Sequence, residues 1–259
     1  MIRIRGGRGL GDSLYLRPIV DHLVCRGKRV VALSDYPDVF ADSGAAVEPF
    51  SRTGVTVLAH YTAGKANPQT TQWQDILASA RIDGALPLRF VRAVKNTALV
   101  ADLKAQAGNR PIIVVHGGRV PMGRSDGFGM ELLPRKETFD CVLAALSDCF
   151  LVRIGKAPLL YPLNVDVDLN GSTSISDLLD IAVSADCFVA QCSFAAPLAE
   201  VFGKPLLAIW SASGLKSKTQ FIAQITPRKI LTNKTSSHVV DDWPTEKITE
   251  CIHAFRAVL

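Results

Sequence analysis

The chain opens Met1-Ile-Arg-Ile-Arg-Gly-Gly-Arg-Gly-Leu-Gly-Asp-Ser-Leu-Tyr-Leu-Arg-Pro18. Ile2 and Ile4 alternate with Arg3 and Arg5, the period of a short strand. Gly6, Gly7, Gly9 and Gly11 follow and remove side-chain bulk where the chain must turn tightly or let a ligand approach the backbone. Asp12 and Ser13 suit the mouth of a helix, and Leu16, Ile19, Val20, Leu23 and Val24 then recur at helical spacing. The stretch therefore reads strand, glycine loop, helix. Such a loop lies at the carboxyl end of its strand, where open α/β sheets bind ligands. Its spacing is not the dinucleotide fingerprint G-x-G-x-x-G with a later ribose-binding acid. A plain βα turn with a capping aspartate accounts for the glycines equally well, so the rest of the chain has to decide.

The 259 residues, 48% hydrophobic and 20% charged, suit a globular protein of one large or two small domains. No apolar run approaches the ~18–20 residues of a membrane span. The charged first strand does not resemble a signal peptide, and a cytoplasmic location is expected. Cys25, Cys141, Cys149, Cys187, Cys192 and Cys251 form no C-x-x-C pair and read as reduced, buried thiols, not a zinc site. The net charge is +5, and its distribution is uneven. Residues 1–108 hold 14 Lys+Arg against 9 Asp+Glu, while 109–259 are balanced at 15 each. The first half is thus expected to face something anionic.

After the first helix, Arg29–Ser34 reads as a buried strand and Pro37–Gly44 as a short helix. Short strands follow near Ala46–Phe50 and Val55–His60, an exposed loop over Tyr61–Thr71, and helices over Trp73–Ala80 and Asn96–Ala107. Gly108-Asn-Arg-Pro111 breaks the last of these, and the domain boundary is set there, giving domains 1–108 and 109–259. The second half restarts with Pro111–Val115, an apolar run of the kind buried inside a parallel sheet, followed by His116-Gly-Gly-Arg119. A Gly- and Met-rich loop over 120–133 carries Arg124, and Pro134 opens a helix to about Leu146. Strand Cys149–Ile154 leads to Gly155-Lys156, and helix Ile175–Ser184 is followed by strand Cys187–Ala190. Gln191-Cys-Ser-Phe194 is the exit loop to helix Ala196–Phe202, which precedes strand Leu206–Trp210. Lys216 and Lys218 fit a solvated loop, and the last helix runs over about Thr245–Val258. Two successive βα-rich halves imply an α/β protein with two Rossmann-like domains facing a cleft.

The order of several short motifs resembles the heptosyltransferase-type glycosyltransferases. Leu10-Gly-Asp-Ser-Leu with Pro18 is similar to that family's L-G-D…P opening, and Leu132-Leu-Pro134 through Phe139 to its W-P-x-E-x-F helix start. Gly171–Leu179, Ala185–Val189 and Leu198-Ala-Glu-Val-Phe-Gly-Lys-Pro205 resemble the segments around its nucleotide site. The resemblance implies the GT-B architecture, with the acceptor on the first domain, the nucleotide sugar on the second, and a C-terminal helix packed back on the first. It also implies that Asp12 is the base that takes the proton of the acceptor hydroxyl. Arg8, Gly9, Gly11, Ser13 and Arg17 would then stand on the acceptor side, within a basic region that includes Arg3 and Arg5. His116, Gly117, Gly118, Arg119, Lys156, Cys192 and Ser193 would stand on the donor side.

Two departures are clear. The family's D-[ST]-G-x-x-H donor loop is replaced by Cys192-Ser-Phe-Ala-Ala-Pro197, in which Ser193 alone is kept. The lysine usual near the W-P element is replaced by Glu131. The expected activity is inverting, metal-independent transfer from a nucleotide-sugar donor to a hydroxyl of an anionic, lipopolysaccharide-type glycan. No metal site is expected, and no cofactor beyond the nucleotide sugar as substrate. Peripheral membrane contact fits such an acceptor. Two alternatives stay open: a phage-type DNA glycosyltransferase acting on a hydroxymethylated base, and a degenerate, non-catalytic GT-B binding protein.

Overall fold

The computed structural model describes residues 1–61, 69–83, 85–118, 132–156, 160–216 and 226–259. Their elements are β1 (Ile2–Arg5), α1 (Leu10–Cys25), β2 (Val30–Leu33), β3 (Ala46–Glu48), β4 (Val57–Leu58), α2 (Gln72–Ser79) and α3 (Thr97–Ala107). They continue with β5 (Ile112–His116), α4 (Lys136–Ala144), β6 (Phe150–Arg153), β7 (Val167–Asp168), α5 (Ile175–Ser184), β8 (Cys187–Gln191) and α6 (Ala195–Val201). The chain closes with β9 (Leu206–Trp210), α7 (Ala212–Lys216), α8 (Pro227–Ile230), β10 (Ser237–Val240) and α9 (Thr245–Arg256). A 3-10 turn over Pro37–Phe40 replaces the short helix expected there.

Two parallel sheets result. The first has the order β3-β2-β1-β4 and the second β10-β9-β8-β5-β6-β7. In each, the order reverses next to the strand that begins it: between β1 and β4, and between β5 and β8. A reversal leaves a crevice at the carboxyl ends of the two strands, because their helices depart to opposite faces. The expectation of an α/β protein with two Rossmann-like sheets holds.

Strand alternation divides the core. Ile112 and Val114 face the first sheet, joining a cluster that runs from Ile4 and Leu14 through Leu198 to Trp210. Ile113 and Val115 face the other way, against Phe139, Val142, Leu143, Ile252 and Phe255. Local signals set the helix starts as expected. Ser174 and Asp177 form a reciprocal capping box on α5, and Asn96 Oδ1 accepts the Leu99 N–H on α3.

The last helix differs from expectation. Ile248, Ile252 and Phe255 of α9 bury against the outer face of the second sheet, and Arg256 pairs with Asp148 beyond α4. Only Asp241–Pro244 separate β10 from α9, so the helix folds onto the sheet it has just left instead of returning to the first. The cysteines also differ: all are free, but only Cys149 and Cys187 are buried, and Cys25 is exposed. Strands β7 and β10 and helices α7 and α8 were not read from the sequence. No helix of the described residues is long and apolar enough to cross a membrane.

Candidate active site at the two sheet reversals

Asp12 sits in the first turn of α1, immediately after the glycine loop. Its Oδ2 accepts the Gly9 N–H at 3.0 Å, which caps the helix. A side chain at Gly7 would overlap this carboxylate, so the glycine is what lets it lie against the loop. The other oxygen, Oδ1, faces His60 Nε2 at 3.6 Å. His60 follows β4, whose pairing with β1 (Arg5 opposite Leu58) brings it to the same crevice. Its backbone N–H donates to Ser79 Oγ at 2.8 Å, and its ring stacks on Tyr61. Burial pushes the Asp12 carboxyl above its ordinary value, opposed by His60 and the Gly9 N–H. Burial likewise pushes the His60 imidazole below its ordinary value, opposed by Asp12. The aspartate is therefore both a cap and a carboxylate whose second oxygen faces His60.

The second reversal carries its own pair. His116 ends β5, and Ser193 lies in the loop leaving β8; Ser193 Oγ and His116 Nδ1 are 3.0 Å apart across the crevice. The same serine oxygen accepts the Ala195 N–H at the start of α6. The Phe194 ring meets His116 edge-on, with centroids 4.7 Å apart. Phe194 also joins the two crevices: a Cβ at Gly11 would lie 3.5 Å from its Cα and 3.1 Å from Pro197 Cγ. Helices α1 and α6 thus touch at their first turns.

The remaining expected site residues fall in different places. Ser13 is buried and shares a 2.8 Å hydrogen bond with Ser34. Arg17 is buried as well: it pairs with Asp21 and Asp42, donates to the Val39 carbonyl and lies over the Phe90 ring. Its guanidinium is engaged in holding α1 to the 3-10 turn. Arg3 is paired with Glu48, whereas Arg8 is exposed and bonded to Asp35 at 2.9 Å. Gly117 lies against Phe139, where a Cβ would overlap the ring, and Gly118 has φ +76° beneath Arg153. Cys192 is half-buried, and burial pushes its thiol up to about 12, away from reactivity at neutral pH. Lys156 is exposed beyond β6. Arg119, Arg124 and Lys218 lie outside the described residues. Lys216 pairs with Asp242 and lines a cavity of about 580 Å³ beyond β9 and β10.

His60 was not singled out from the sequence. The available signal was a histidine closing a short strand, meaningful only once that strand was known to pair with β1. No cluster of three or more His, Cys, Asp or Glu suited to a metal occurs among the described residues.

No known family and no curated protein matches the sequence. Solved structures match the fold over almost the whole chain. One is the Escherichia coli ADP-heptose lipopolysaccharide heptosyltransferase II, at 12% identity and TM-score 0.63, with 99% of this chain and 98% of that one covered. Another is a glycosyl transferase family 9 protein from Veillonella parvula, at 7% identity and TM-score 0.64, covering 98% and 96%. A putative UDP-N-acetylglucosamine 2-epimerase from Listeria monocytogenes is similar at 12% identity and TM-score 0.52, covering 98% and 88%. The chain has the α/β fold of the GT-B glycosyltransferases, with a candidate site where its two sheets reverse.

Proposed function

We propose that the protein is an inverting glycosyltransferase that moves a sugar from a nucleotide-sugar donor to a hydroxyl of an anionic, lipopolysaccharide-type glycan. The observation that carries this reading is Asp12: a carboxylate in the first turn of α1, one oxygen turned to His60 in the crevice, on the helix that meets α6 of the second sheet. An alcohol is a poor nucleophile, and a carboxylate within reach takes its proton as the glycosidic bond forms. In this reading the bond from the sugar carbon to the diphosphate breaks on the opposite face, and the diphosphate leaves with the electron pair. His116 and Ser193 meet its charge without a metal. Exposed Arg8 meets the charge of the acceptor. The structural neighbour from E. coli, named for ADP-heptose, supports the donor class.

The experiment is a thermal-shift screen against ADP-, UDP-, GDP- and CMP-sugars and the free nucleotides. A ligand bound only by the folded state, at 100 times its dissociation constant, adds about 2.7 kcal/mol. A shift with one nucleotide supports the donor site and selects the donor for an acceptor screen in the presence of EDTA. No shift at millimolar concentration overturns the reading in favour of a non-catalytic protein.

A further inference from the structure

Asp12 has to be reset after each turnover if it is the base of the proposed reaction, and the crevice holds a group placed to do this. The oxygen not tied to Gly9, Oδ1, is the one that can accept the substrate's proton, and it is the one that His60 Nε2 faces. Their separation of 3.6 Å is a small side-chain adjustment longer than a hydrogen bond, and catalytic hydrogen bonds are often long before substrate binds. The Asp12 side chain is 21% exposed and that of His60 19%, so both touch the crevice while remaining largely shielded.

We propose that His60 relays to solvent the proton that Asp12 removes from the acceptor hydroxyl. The proposal rests on the transferase reading. The proton passes from the hydroxyl to Asp12 Oδ1 as the glycosidic bond forms, then to Nε2 of a neutral imidazole, leaving aspartate and imidazolium; water then takes the proton. His60 acts through Asp12 and does not itself touch the sugar. Imidazole is ordinarily the stronger base, by 6.5 against 3.8. Burial raises the acid and lowers the imidazole, which narrows this gap and eases passage in both directions. Among the described residues, Asp12 from α1, Arg5 from β1, the Tyr61 ring and the Ser79 hydroxyl from α2 face His60. Arg5 is the neighbouring cation and favours the neutral, proton-accepting imidazole.

The test is the pH dependence of multiple-turnover transfer in the wild type, His60→Gln and His60→Ala, with NMR titration of the His60 ring in the wild type. A relay needs neutral His60, so the wild-type rate should fall on the acid side with the imidazole, at a pH below 6.5. In His60→Gln the plateau should drop about tenfold or more, and the acid limb should move down to the carboxylate range. Added imidazole should restore turnover in His60→Ala. In the protein without substrate, Asp12→Asn should lower the His60 titration midpoint, because the anion that supports imidazolium is gone. Coincident acid limbs in wild type and His60→Gln, without imidazole rescue, would overturn the relay and leave the transferase standing. A His60 midpoint unmoved by Asp12→Asn would also overturn the relay. Absence of transfer in the wild type with every donor would overturn the transferase reading and the relay with it.

Discussion

At the scale of single residues, Asp12 shows how one side chain serves fold and chemistry together. Its Oδ2 satisfies a donor of the helix's first turn while Oδ1 stays available. Asp12→Asn keeps a cap oxygen but removes the base, so transfer should fall by about 10²–10⁴-fold with donor binding retained. Its effect on stability follows from the sign of the pKa shift. A carboxyl raised on folding favours the native state below its unfolded value and disfavours it once ionised. The variant should therefore melt higher than wild type at pH 7, and the difference should fade below about pH 4. A melting series from pH 3 to 8 checks this. Gly117 poses a steric case. Gly117→Ala meets the Phe139 ring and should cost about 1–3 kcal/mol by urea unfolding, and Phe139→Leu in the same chain should recover part of it.

Among the elements, the contact of α1 with α6 brings the two crevices together. Gly11 is helical and needs no special backbone; its missing side chain is what lets Pro197 and Phe194 approach. Gly11→Leu should separate the helices, cost about 1–3 kcal/mol and weaken nucleotide binding more than Gly11→Ala does. Calorimetric titration of the nucleotide found by the thermal screen compares the two. Helix α5 relies on a different device. Its Ser174–Asp177 box closes the first turn, and Ser174→Ala should cost about 1 kcal/mol, read as a shift in the denaturation midpoint.

For the whole molecule, the question is whether the two sheets behave as separate bodies. One apolar cluster spans both. Arg92, in the segment between α2 and α3, pairs with Asp180 of α5 in full burial, and Lys229 of α8 pairs with Asp75 of α2. Asp180 also accepts the Lys95 and Asn96 N–H groups, so the connecting segment is fastened to the second sheet's helix. A shared core and buried ion pairs across the seam predict a single calorimetric unfolding transition. Arg92→Met leaves Asp180 buried and unpaired and should cost about 3–5 kcal/mol, while the double change with Asp180→Leu should cost less. The basic surplus of the first half also takes on a different meaning at this scale. Arg3, Arg8 and Arg17 are all held by carboxylates of the same sheet and its connections, and of the three Arg8 is the exposed one, at the loop.

The sequence by itself determined the local grammar: the β1–loop–α1 opening, the apolar strands β5, β8 and β9, and the capped starts of α3 and α5. These depend on periodicity and caps, which act over one or two turns of chain. It also singled out Asp12, His116 and Ser193, because each follows a legible strand. Only the tertiary structure decided that His60 stands beside Asp12, since that follows from β4 pairing with β1 across more than fifty residues. The burial of Arg17 and the docking of α9 on the second sheet were decided in the same way. A charge pattern does not say which arginine meets a carboxylate, and an amphipathic helix does not say which of two apolar faces it covers. Those outcomes belong to strand order and connection length, the properties that periodicity leaves open.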